Sequence, residues 1–160
     1  MGKLRKKLLT GFLFILALVV LSSCTKKNTL VLEPSIADME NKLKEKIDLS
    51  NMDIGDSGKL EKLYDINSED LEEFLLYIPK TNIEASEIGI FKVKDSKDID
   101  TIKEKIENRI KGQADIFADY LPEEYYLIEK NVLKTKDNYI LYIISEDSEV
   151  IEKVFDESFK

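Results

Sequence analysis

Arg109 and Gln113 stand four residues apart within an amphipathic run. On a helix, both side chains would leave the same face one turn apart. A guanidinium beside a primary amide is suited to gripping a carboxylate or phosphate while the amide fixes its orientation. Glu87 offers the same residues an alternative role, an internal Arg109–Glu87 ion pair tying a helix to a sheet. These three are the polar residues expected at the edge of the core. Tyr120, Tyr125 and Tyr126 cluster around Pro122. They suit either an aromatic recognition surface or a cap over the core with the phenols exposed. The acid pairs Glu69-Asp70 and Glu123-Glu124 read as solvated helix N-termini rather than catalytic pairs.

The residues that are absent narrow the chemistry further. The chain has no His, no Trp and a single Cys, Cys24. Zinc sites built from Cys and His are excluded, and so are Cys–His and Ser–His–Asp catalytic units. No disulfide can form within the chain. No catalytic residue, cofactor or metal site is expected. Gly55-Asp56-Ser57-Gly58 resembles the stretch around a protease serine, but without a histidine base it reads as a turn.

Cys24 carries chemistry of another kind. Lys3, Arg5, Lys6 and Lys7 precede Leu8–Leu21, an apolar stretch without a charge. Its helix would be about 21 Å long, short of the roughly 30 Å hydrocarbon core of a bilayer. A basic start, a short apolar run and small residues after it describe a secretory signal. Leu21-Ser22-Ser23-Cys24 has the form of a lipobox, with small residues before an obligatory cysteine. Diacylglyceryl transfer to the Cys24 thiol and cleavage between Ser23 and Cys24 are therefore expected. Two acyl chains give a stable anchor where one would be marginal.

These readings divide the chain into a signal peptide (1–23), a lipidated tether (24–34) and one domain (35–160). Residues 1–23 hold four of the 24 bases and none of the 32 acids, which leaves a net charge of −12 over 137 residues. So acidic a domain is a poor ligand for nucleic acid and should stand off an anionic bilayer.

The domain must place Glu87, Arg109 and Gln113. Ser35 opens a helix whose Ile36, Met39, Leu43 and Ile47 share one face. A turn over Asp53–Gly58, a short apolar segment and a helical turn from Ser68 follow. Strands are expected over 73–78 and 87–94, with Gly89, Phe91 and Val93 on one side of the second and Ile88 and Ile90 on the other. The longest periodic run, about Ser96 to Leu121, predicts a helix along Ile99, Ile102, Ile106, Ile110, Ala114 and Phe117. Pro122 starts a short helix. Strands over 131–135 and 139–145 are joined by a turn, and a last helix begins near Asp147. Tyr139–Ile144 is apolar at every position, as in a strand covered on both faces. The expected fold is α+β: an antiparallel sheet of about four strands, from two ββα units, packed against a long helix and preceded by an N-terminal helix.

Several of these stretches carry a family resemblance. They are Leu63-Tyr64-Asp65-Ile66, Ala85 to Val93, Arg109 with Gln113, Tyr120-Leu121-Pro122, and Asn138-Tyr139. Together with the lipobox, they resemble the bacterial lipoproteins catalogued as domain of unknown function 4358, over roughly residues 35–160. The resemblance implies the outer face of the cytoplasmic membrane and brings no activity with it. The resulting expectation is an extracytoplasmic lipoprotein, held to the membrane through diacylglyceryl-Cys24 and binding a neighbouring envelope protein or small ligand. The alternative is a carboxylate-based envelope hydrolase.

Overall fold

A computed structural model of the chain describes residues 33–160. The expected signal peptide, Cys24 and most of the expected tether lie outside the described residues.

Helix α1 (Ile36–Lys46) begins at Ser35, whose side chain accepts the Asp38 amide, and buries Ile36, Met39 and Leu43. Strand β1 (Met52–Ile54) and helix α2 (Ser57–Tyr64) come next. The expected turn over Asp53–Gly58 is thus corrected. Asp53 and Ile54 pair with Ile78 and Tyr77, and Asp56 caps α2 by accepting the Lys59 amide. A left-handed Asp65 ends α2. Strands β2 (Leu71–Pro79) and β3 (Glu87–Val93) form an antiparallel pair. Helix α3 (Ile99–Phe117) stops one turn short of the expected Leu121. Leu121 precedes a proline, which disfavours helical backbone there, and helix α4 (Pro122–Glu129) restarts with Pro122 in its first turn. Strands β4 (Val132–Lys136) and β5 (Tyr139–Ile144) turn at a left-handed Asp137, and helix α5 (Ser148–Glu157) closes the chain.

The sheet has five strands in the order β1-β2-β3-β5-β4, all antiparallel. The expected α+β fold holds, with one more strand than the four anticipated. β1 is three residues long and lies at the edge, too short to show a period of its own.

Helices cover both faces. Ile88 and Ile90 of β3, with Tyr139, Leu141 and Ile143 of β5, pack beneath α1 and α5. Phe91 and Val93, with Ile140, Tyr142 and Ile144, pack beneath α2, α3 and α4. Every residue of β3 and β5 is buried for this reason. Each buried Leu, Ile or Phe contributes about 1.5–3 kcal/mol relative to leaving it exposed. β3 and β5 are therefore where the fold is anchored. No helix among the described residues is long and apolar enough to cross a membrane.

Candidate functional site

Glu87 opens β3 and is fully buried, an unusual position for a carboxylate. Its partners come from three elements. Arg109 of α3 approaches side-on, with Nη2 2.5 Å from Oε1 and Nε 3.4 Å from Oε2. Gln113, one turn further along α3, donates to Oε1 at 3.1 Å. The Tyr64 hydroxyl at the end of α2 donates to Oε2 at 2.5 Å. Tyr142 of β5 lies 3.2 Å from Oε2 and 3.1 Å from Gln113 Oε1, and its single proton can serve either. Five donor atoms from four side chains thus surround one carboxylate.

The backbone before Glu87 is held too. The Ala85 amide donates to Glu124 at 2.7 Å, and its carbonyl accepts from Gln113 at 3.4 Å. Glu124 is therefore not the purely solvated helix N-terminal acid expected from its place in the sequence. It pins the approach to β3 from α4.

Burial pushes the Tyr64 and Tyr142 phenols well above the ordinary tyrosine range, and the Glu87 charge adds to the push. Burial opposes the Arg109 charge. Its hydrogen bonds to Glu87 and the charge of that partner outweigh burial and hold the guanidinium above its usual range.

The structure thus brings Glu87, Arg109 and Gln113 together, and the Arg109–Glu87 ion pair forms. Tyr64 and Tyr142 complete the cluster, though no spacing along the chain groups them with it. Tyr142 did carry a signal: a tyrosine in a strand buried on both faces needs a partner for its hydroxyl. Tyr120 and Tyr126 are exposed, and Tyr125 packs partly against the core. None of these three hydrogen-bonds to Glu87, Arg109 or Gln113. Tyr126 instead lines a larger groove of about 1100 Å³ beside Glu123, Glu146, Asp147 and Glu149. Those four acids are all solvent-exposed.

Arg109 lies where two shallow grooves meet, of about 520 Å³ and 290 Å³. Both are lined by Leu63, Arg109 and Ile116, while Glu87 and Gln113 border only the larger. The site is an open depression between α2 and α3 with a neutralised ion pair at its base.

The model of one family, described as Domain of unknown function (DUF4358), matches residues 45–145. The chain belongs to this family. The matched DUF4358 region runs from the end of α1 into the residue after β5 and contains all five residues of the Glu87 cluster. No curated protein and no solved structure matches the chain.

Proposed function

We propose that this DUF4358 chain is a lipid-anchored, extracytoplasmic protein acting as a non-catalytic binding module at the cell envelope. The anchor rests on the basic start, short apolar run and Leu21-Ser22-Ser23-Cys24. The binding role rests on one structural observation: the buried carboxylate at the groove is fully occupied by internal donors. A glycosidase-type mechanism needs one carboxyl group free to protonate and another free to attack or activate water. With both oxygens held by Arg109, Gln113 and tyrosine, Glu87 has no lone pair available for either role. A preorganised, internally satisfied base suits recognition instead.

Two measurements test this reading. Cells fed an alkyne fatty acid should label the wild-type protein and leave Cys24→Ala unlabelled; label on the variant would overturn the anchor. The native lipoprotein, crosslinked in its membrane, should capture a recurrent envelope partner or ligand. Recovery of the protein alone would count against a binding module, as would release of soluble fragments from purified cell wall.

A further inference from the structure

Arginine is rare in this chain. Arg5 and Arg109 are the only two, against 22 lysines, and Arg5 belongs to the basic N-terminal segment. The one arginine of the described domain therefore stands where a planar fork matters and lysine would not serve. Guanidinium carries five N–H donors in fixed directions. Glu87 takes the Nε–Nη2 side, through one hydrogen on each nitrogen. Three N–H groups remain, two on Nη1 and one on Nη2, and a pair of them forms a second parallel fork. Nη1 makes no hydrogen bond among the described residues, and no buried side-chain nitrogen or oxygen among them lacks a partner. Nη1 therefore reaches solvent, at the meeting of the two grooves.

The charge around that fork differs from the rest of the domain. Residues 33–160 hold 18 bases against 32 acids. The two grooves reverse this balance, with Lys59, Lys62, Lys80, Lys105 and Arg109 against Asp65, Glu84 and Glu87. Gly112 lies on α3 one turn from Arg109 and lines the smaller groove. It has no positive φ, and a Cβ there would meet nothing within 4 Å. A glycine inside a helix costs about 0.5–1 kcal/mol relative to alanine. Neither packing nor backbone geometry requires it here, whereas an approaching ligand would use the open floor.

We propose that the outer fork of Arg109 binds an oxyanion, a carboxylate or phosphate ester, seated over Gly112 between the lysine rims. The inference rests on the binding-module reading and names the ligand class. Leu63 and Ile116 flank the fork, so an anion with a short apolar body fits better than a bare one. Glu87 holds the inner edge of Arg109 and so aims the outer edge, which makes it a positioning residue.

Arginine Nε–Hε resonances of the full-length lipoprotein in detergent provide the readout, because after signal cleavage Arg109 contributes the only one. Titration with hexanoate and with inorganic phosphate should shift this resonance saturably, hexanoate at lower concentration, and added salt should weaken both. Nanodiscs of phosphatidylglycerol against phosphatidylcholine separate a lipid headgroup from a free anion as the source. A shift with phosphatidylglycerol alone would assign the same fork to a headgroup and overturn the free ligand. Lys59→Gln and Lys80→Gln leave the Glu87 cluster intact and should each weaken binding about threefold, as expected for a solvent-exposed charge pair. Gly112→Leu should abolish the shift while the fold stays intact. An Arg109 resonance unmoved by any probe, or moved equally in Gly112→Leu, would overturn the proposal. If crosslinking still captured a partner, the binding module would stand and only this groove would be excluded.

Discussion

Arg109 and Glu87 meet across the junction of α3 and β3 with unequal access to water: the Glu87 side chain is fully buried, while that of Arg109 keeps 21% of its surface exposed. The asymmetry predicts which half of the pair is harder to lose. Arg109→Met strands a buried carboxylate with only neutral donors, at about 3–5 kcal/mol. Glu87→Gln leaves a guanidinium whose outer nitrogen already reaches water, at about 1–3 kcal/mol. Urea unfolding of the two variants should rank Arg109→Met as the less stable. The reverse order would mean that the arginine charge depends wholly on Glu87.

Stability should fall in alkali. Tyr64 and Tyr142 are held well above their ordinary value of 10.0 by burial and by the Glu87 charge. A folded-state pKa above the unfolded one gives stability that is complete below about pH 10. It is lost as pH rises, because the unfolded chain gives up its protons first. Each tyrosine should remove about 1.4 kcal/mol per pH unit above 10. Urea midpoints measured from about pH 9 to 11 should show this slope, and Tyr142→Phe should make it shallower by about one proton. A variant with the wild-type slope would show that Tyr142 ionises as easily folded as unfolded.

Two glycines should respond to alanine with opposite signs. A Cβ at Gly89 would lie 2.5 Å from Cε2 and Cζ of Phe91, a fully buried ring. That ring packs edge-on against Tyr64 at 6.2 Å, so displacing it disturbs the phenol that holds Glu87. Gly89→Ala should cost about 1–3 kcal/mol through overpacking. Gly112→Ala meets open space and should stabilise by about 0.5–1 kcal/mol through helix propensity. Thermal melts of the two proteins would decide. A destabilised Gly112→Ala would require an intramolecular reason for that glycine.

The two sides of β3 were legible because successive side chains of a strand point to opposite faces, whereas β5, apolar throughout, was legible only as a strand covered on both faces. Ile88 and Ile90 do face one helical layer, and Phe91 and Val93 the other. The Arg109–Gln113 spacing and the acid at the start of β3 pointed to three of the five residues of the Glu87 cluster. Tyr64 and Tyr142 were hidden by their surroundings: among apolar neighbours each ring reads as core filling, not as a hydrogen-bond partner for Glu87. Tertiary folding alone joins them to it. The Gly55–Gly58 stretch misled for a local reason: Asp and Ser beside glycine suit a turn and a helix cap equally well, and Asp56 is used as the cap.

Lys92 fixes where the chain enters the domain. Its ammonium reaches Glu33 at 2.5 Å and Glu72 at 2.9 Å, and the Tyr139 hydroxyl donates to the Pro34 carbonyl at 2.7 Å. Tyr139 and Ile36 belong to the layer beneath α1 and α5, so the chain enters on the face opposite the Arg109 groove. The Glu33 and Glu72 side chains are 64% and 55% exposed and can return to water when Lys92 is replaced. Lys92→Met should therefore cost no more than about 1 kcal/mol. Docking of α1 rests on Ile36, Met39 and Leu43, each worth about 1.5–3 kcal/mol in burial, which outweighs the polar clasp. In Lys92→Met with Tyr139→Phe, hydrogen exchange should quicken around Glu33 to Ile36 and stay unchanged at Leu43. Lost protection as far as Leu43 would show that the clasp, not the apolar face, seats the first helix.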